Sequence, residues 1–292
     1  MPNLEEGISL DGNMLVHGGK PAISENTLEF LLPDSLTSSL CVNIDKGLEV
    51  WVVAGMLVQY LETLTDSVVV REGSKPIGMI GGKEIINGVF DDPSHSFFYK
   101  NKVEDIMDTN LIQVTKHHTL NELLSIWKET RRAFAIIPNE LYDYSAISAK
   151  KILEVGTRCK TDMTISDIPK KKTITFKKDD TVKDIINSMF ENKTRKLLLE
   201  DSYLYINDRI IIETIAEELK FLTDTYDFLD IPANTFKLEE AKVVSENLTI
   251  PEVSKILFEM THPYVIYQDQ VVSPWDICTT LSSENLIDYE RC

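Results

Sequence analysis

The stretch QVVSPWDICTTL, Gln270 to Leu281, sets a hydroxyl, a ring-locked residue and a carboxylate where β-branched residues give way to a helical pattern. Ser273 is a good N-cap, Pro274 suits the first helical position, and Asp276 meets the positive end of the helix dipole. Capping alone accounts for all three. A reciprocal capping box, however, prefers Glu or Gln at the third position, whose side chain must reach back to the N–H of the cap. The shorter Asp276 is then left to accept hydrogen bonds from the hydroxyls of a ligand.

Catalytic patterns are missing from the rest of the sequence. It has no Gly-rich phosphate loop ending in Lys-Ser or Lys-Thr, no G-x-S-x-G elbow and no H-E-x-x-H pair, and GMIGG at Gly78–Gly82 does not meet the G-x-G-x-x-G spacing. Cys41, Cys159, Cys278 and Cys292 are scattered, with no C-x-x-C pair and no His at ligand spacing. Neither a metal site nor a disulfide framework is expected, and the thiols read as reduced. His117 and His118 fall in a polar turn and are expected to face water. The expectation is a non-enzymatic protein with no required cofactor.

A formal net charge of −17 would repel a nucleic-acid backbone or an anionic membrane. The opening MPNLEEGISL carries no basic, apolar leader, and the most apolar window, Leu48 to Leu64, is interrupted by Glu49, Gln59 and Glu62. It reads as a buried helix of a cytoplasmic protein.

The elements that must position Ser273 and Asp276 emerge from an internal repeat. The stretch from Val103 and the stretch from Ile165 align without gaps: Thr181 lies 62 positions after Thr119, and Asp105, Ile106, Ile112, Lys116 and Glu129 meet Asp167, Ile168, Ile174, Lys178 and Glu191. In each copy a short extended run leads to a Thr N-cap and a helix with apolar residues at i, i+3 and i+4, namely Leu120, Leu123, Leu124 and Trp127, or Val182, Ile185, Ile186 and Met189. A basic turn, two strands and a second helix follow, so the unit is β-α-β-β-α. A third copy has its cap at Thr249, and a looser one spans Ser38 to Ile86. The predicted organisation is an N-terminal extension, 1–36, with DGN and HGGKP turn clusters, then units at 37–98 (degenerate), 99–158, 161–222 and 230–292. One helical layer cannot cover both faces of so small a sheet, so the units are expected to pack in pairs.

This repetition, with VEDIM leading into strand, helix, two strands and a helix opened by Ser-x-x-Asp, resembles the CBS domain first described in cystathionine β-synthase. The resemblance covers nearly everything after about residue 38, in four copies. It implies an α+β fold of four units in two pseudo-twofold pairs. It further implies clefts between paired units for an adenosine-containing ligand: AMP, ADP, ATP or S-adenosylmethionine. The family pattern at the strand-to-helix turn is Gly, two apolar residues, Ser or Thr, two arbitrary residues and Asp. The fourth unit, QVVSPWD, keeps Ser273 and Asp276. The first, GMIGGKE, has Gly81 and Glu84; the second, SAISAKK, keeps Ser148 but has Lys151; the third, LYINDRI, has Asn207 and Ile210.

On this resemblance Asp276 accepts from a ribose diol, Ser273 binds a hydroxyl or phosphate oxygen, and Glu84 and Ser148 are weaker counterparts. The family often sets a cation just before the apolar strand, where Arg131, Arg132, Lys193, Arg195, Lys196 and His262 stand. Arg195 and His262 belong to the two units expected to share a cleft, and Arg132 to the first pair. Val243, Val244 and Ile266 are expected to form the adenine slot, and PKKK, Pro169 to Lys172, an exposed loop. The function expected is a ligand-binding regulatory sensor, associating as a homodimer through its CBS pairs and acting on a protein partner. The alternative is an assembly scaffold with decayed pockets.

Overall fold

The computed structural model describes residues 21–33, 36, 41–59, 67–140, 143–217, 228–283, 286 and 288–289. The DGN cluster, most of HGGKP and Cys292 lie outside them.

The described residues open with a 3-10 turn (Ile23–Glu25) and a short helix α1 (Leu28–Leu31). The first unit follows as β1 (Asn43–Asp45), α2 (Val50–Gln59), β2 (Ser67–Glu72), β3 (Lys75–Gly81) and α3 (Gly82–Asp91). After α4 (His95–Lys100) and α5 (Val103–Ile106), the second unit has α6 (Leu120–Thr130), β4 (Phe134–Asn139), β5 (Asp143–Ser148) and α7 (Ala149–Arg158), with Gln113 bridged in parallel to Ile136 in place of a full first strand. The third is β6 (Thr175–Phe176), α8 (Val182–Asn192), β7 (Lys196–Leu199), β8 (Leu204–Asn207) and α9 (Asp208–Glu217), with β9 (Glu239–Glu240) added to its sheet. The fourth is β10 (Lys242–Val243), α10 (Ile250–Glu259), β11 (Val265–Tyr267), β12 (Gln270–Val272) and α11 (Pro274–Leu281).

Within a unit the first strand lies parallel to the second across a helical crossover, and the hairpin that follows is antiparallel: β1 pairs with β2 and β2 with β3, β10 with β11 and β11 with β12. The fold is α+β, four such units in two pairs.

A reciprocal exchange of lead-in segments builds the pairs. Leu28 N donates to His118 O at 2.9 Å while Leu120 N donates to Asn26 O at 3.1 Å, so α1 docks on the second unit. In return Val103 N donates to Leu48 O at 2.8 Å and Val50 N to Asn101 O at 3.1 Å, seating α5 on the first. The same exchange joins the other two units, through Ile165 N to Leu248 O at 2.8 Å and Ala233 N to Asp180 O at 2.8 Å. Leu28, Val103, Ile165 and Ala233, which begin these segments, are all buried. Residues 21–33, unassigned from sequence, thus stand to the second unit as α5 stands to the first.

The helices then join pair to pair. α7 packs on α10 and α11, and α9 on α2 and α3. One core links the second and fourth units, around Trp127, Ile152, Leu257 and Ile277, and the other links the first and third, around Val53, Ile85, Ile186 and Ile211. At the first junction Gly156 is required, because a Cβ there would overlap Ser254 Oγ and stand 2.9 Å from its Cβ. The apolar window at Leu48 proves two-sided: Val50, Val53, Ala54 and Leu57 are buried, whereas Trp51 is 46% exposed and stacks on Tyr99 with centroids 6.1 Å apart. No helix among the described residues is long and apolar enough to cross a membrane.

Candidate functional site

The turn from β12 into α11 places Asp276 almost out of solvent, 3% exposed. Its Oδ2 accepts from Ser273 N at 2.8 Å and from Ser273 Oγ at 2.6 Å, closing a capping box. The expectation that Asp is too short for this is not met. Lys102 N to Asp105 and Thr164 N to Asp167, both 2.7 Å, and Thr181 N to Asp184, 2.9 Å, make the same bond. Only Oδ2 is used up this way. Oδ1 accepts from Lys171 Nζ at 2.5 Å, a bond that spans from the third unit to the fourth.

Lys196, the first residue of β7, adds a second ammonium. Its Nζ stands 4.7 Å from the Tyr264 ring centroid, a cation–π contact. Burial pulls its ammonium down to about 8, with Asp276 opposing that pull and Lys171 reinforcing it. Burial pushes the Asp276 carboxyl up, but the fields of Lys196 and Lys171 and the hydrogen bonds from Lys171 and Ser273 outweigh it and hold the group below its ordinary value. One cation thus bonds the carboxylate and a second lies within its field.

The other predicted residues divide between this turn and the turn from β8 into α9. Arg195 Nε and Nη2 lie 2.7 and 2.6 Å from Asp208 Oδ2, at the start of α9. His262 faces the same turn, its Nδ1 3.4 Å from Asn207 Nδ2 and its Nε2 3.5 Å from Glu213 Oε1. There Asn207 Oδ1 accepts from Ile210 N at 2.8 Å, and Ile210 stands where the family pattern has its carboxylate. Val243 is aligned with Ile266 in the sheet and is 51% exposed, whereas Ile266 is buried toward the third unit and Val244 in the other core.

The first pair is closed. Glu84 Oε2 accepts from Gly81 N at 2.8 Å, and its Oε1 takes Arg132 Nη2, which also lies 3.2 Å from Asp108 Oδ2. The Arg132 and Glu84 side chains are 10% and 7% exposed. Met107 and Asp108 press on the turn so closely that a Cβ on Gly78 would stand 2.8 Å from Asp108 O. In the second unit Ser148 Oγ caps Lys151 N at 3.3 Å, and Lys151 Nζ, buried, turns to Glu154 Oε1 at 2.9 Å. A cavity of about 10 Å³ at the junction of the pairs, lined by Gly82, Arg209 and Glu213 among others, has room for one water. No group of three His, Cys, Asp or Glu among the described residues is placed to hold a metal ion.

Sequence reasoning left Lys171 in an exposed loop and did not single out Asp208. The signal for Lys171 was a run of three lysines in a strongly acidic chain. Asp208 carried none, because the pattern places the carboxylate two residues later.

No protein-family model and no curated protein matches the sequence. Among solved structures, a protein of Methanocaldococcus jannaschii described as a candidate archaeal homologue of γ-AMPK superposes with a TM-score of 0.72 at 13% identity, over 86% of this chain and 99% of its own. A CBS-domain-containing protein of Agrobacterium tumefaciens matches at 15% identity over 49% of this chain and 98% of its own, with a TM-score of 0.37. A protein of Burkholderia ambifaria with CBS domains matches at 14% identity over 50% and 98%, with a TM-score of 0.38. At such identities the likeness is one of fold alone: the chain has the CBS-type α+β fold, with four units in two pairs.

Proposed function

We propose that this chain is a cytoplasmic, non-catalytic regulatory protein that binds an adenosine-containing ligand in the cleft between its third and fourth units. The supporting observation is the Lys171 ammonium on the buried Asp276 carboxylate, with the Lys196 ammonium, seated over the Tyr264 ring, in the field of the same carboxylate. In a chain of net charge −17 this leaves a local excess of positive charge beside a helix N-terminus, suited to a phosphoryl group. Asp276 Oδ2 stays in the capping box, Oδ1 turns to a ribose hydroxyl, and Ser273 lies beside it. The exposed side chain of Val243 offers an apolar surface for the base, while Ile266, buried in the core, offers none. Arg195 and His262 serve the turn from β8 into α9 of the same pair. This chemistry favours AMP, ADP or ATP over S-adenosylmethionine, which carries no phosphate. Because the cleft is built from two units, a ligand that prefers one of their arrangements shifts the equilibrium between them, which is what a protein partner would sense. Self-association through the CBS pairs belongs to the same proposal.

Calorimetric titration with the four ligands tests it. Wild type is expected to bind a phosphorylated one, and Asp276→Asn, which keeps an acceptor for the cap but loses the charge, to bind it about tenfold or more weakly. Equal affinity would move the site elsewhere.

A scaffold with decayed pockets is the second reading. The closed Arg132–Glu84 pair and the placing of Lys151 and Ile210 where a carboxylate is needed favour it. An unchanged melting midpoint with every ligand at millimolar concentration would decide for it, since a ligand specific to the folded state must stabilise that state.

A further inference from the structure

Residues 169–173 run across the β11–β12 hairpin as a strap. Gln270 Nε2 donates to Pro169 O at 3.2 Å, Lys170 Nζ to Gln268 Oε1 at 3.0 Å, Thr173 Oγ1 to Asp269 O at 2.6 Å, and Val271 N to Thr173 Oγ1 at 3.3 Å. The strap belongs to the third unit and the hairpin to the fourth, so these bonds cross the boundary inside the pair. At the centre of the strap Lys171 reaches inward. Its side chain is 52% exposed, yet its ammonium ends on a carboxylate that is 5% exposed.

That carboxylate has one oxygen left to offer. Oδ2 already takes both the N–H and the hydroxyl of Ser273, so Oδ1 is the position at the mouth of α11, and Lys171 fills it. The contrast with the first pair is physical. There an arginine and a glutamate are both enclosed, and breaking the pair would strand a buried charge. Here the carboxylate is as enclosed as Glu84, but the lysine can leave into water, and the Lys196 field and the Ser273 hydroxyl still stabilise Asp276 when it does. Two hydrogen bonds of the strap, those of Lys170 and Thr173, lie at the exposed surface.

We infer that Lys171 is a built-in stand-in for the ligand: its ammonium holds the acceptor position that a sugar hydroxyl would take, so strap closure and ligand entry exclude one another. The inference rests on the cleft proposed above. On entry the diol displaces Lys171 from Asp276 Oδ1. The lysine, still tethered at the mouth, becomes free to pair with an anionic group of the ligand, and the strap loses its anchor on the fourth unit. An unliganded protein is thereby held with its third and fourth units clasped, and the ligand must outcompete the clasp before it binds.

Adenosine is the probe that isolates this competition, because it carries the diol and no phosphate for Lys171 to attract. Lys171→Met keeps the apolar stem and removes the ammonium, and at a half-exposed position it should fold normally. Adenosine is expected to bind the variant about tenfold more tightly than wild type, and saturation of wild type with adenosine should speed hydrogen exchange at the Val271 amide as Thr173 leaves it. Equal or weaker binding of adenosine by Lys171→Met, including none, overturns the strap. Titration of wild type with AMP, ADP and ATP decides the cleft separately, so the two failures are told apart.

Discussion

Gly82 and Asp208 touch across the junction of the two pairs: a Cβ built on Gly82 would overlap Asp208 Oδ2 and stand 3.0 Å from its Cγ. Asp208 cannot give way easily, since Oδ2 is held by Arg195 Nε at 2.7 Å and Oδ1 by Arg209 N at 3.0 Å. Gly82→Ala is therefore expected to destabilise by about 1–3 kcal/mol through overpacking. Gly55 sits in α2 with nothing within 4 Å of its would-be Cβ, and Gly55→Ala should stabilise by up to about 1 kcal/mol. Urea unfolding of both variants checks the pair. A Gly82→Ala protein as stable as wild type would mean that the two pairs do not meet at this turn.

The exchange of lead-ins makes a second prediction. Leu28 is fully buried, so Leu28→Ala should cost about 2–5 kcal/mol. The loss should appear in the second unit, although Leu28 precedes the first in sequence. Hydrogen exchange read by mass spectrometry is expected to lose protection in α6 before the β2–β3 hairpin. The reverse order would reject the exchange.

How much of this was legible follows from the range of the interactions. α6, α8 and α10 begin at Leu120, Val182 and Ile250, one residue after the Thr caps that the sequence marks, because capping and helical periodicity act within a few residues. The helix start at Ser273 was legible for the same reason, whereas the bond from Ser273 N to Asp276 that closes its cap was misjudged on side-chain length. Glu84 and Arg132 were each singled out, but their bond joins residues 48 apart and was not visible as a pair. Lys171 reaches Asp276 over 105 positions, and nothing in its own neighbourhood marks the partner. The lead-in exchange runs through backbone N–H and C=O groups, which every residue carries and no residue type announces.

Lys196 gives the cleft a pH signature. With its ammonium at about 8, well under the ordinary 10.5, it loses its proton across a range where the Asp276 carboxylate stays charged. An anionic nucleotide should bind more weakly at about pH 9 than at about pH 7, and Lys196→Arg, whose guanidinium stays charged, should remove that difference. Titration of wild type and variant at both pH values reads it. Stability moves the other way. Between about 8 and 10.5 the unfolded chain holds a proton on Lys196 that the folded chain has given up, so the contribution of Lys196 to stability rises with pH through that window and is constant below it. Asp276, held below its ordinary value of 3.8, contributes stability that is present above that value and lost as acid titrates the folded carboxylate.

The first pair separates a structural cation from a ligand-binding one. Arg132 and Glu84 are nearly closed to solvent, and the second Glu84 oxygen is committed to Gly81 N. Removing the guanidinium with Arg132→Ala leaves the Glu84 carboxyl buried and short of its cationic partner, which should cost about 3–5 kcal/mol. Replacing both charges, as Arg132→Met with Glu84→Gln, removes the stranded carboxylate and should recover most of that loss. Urea unfolding of the single and double variants, with a nucleotide titration of each, tells the roles apart. A cation reserved for phosphate would leave folding almost unchanged when removed and would weaken the nucleotide. A cation that neutralises a buried glutamate does the opposite, and the enclosure of Arg132 beside both Glu84 and Asp108 makes that the outcome expected here.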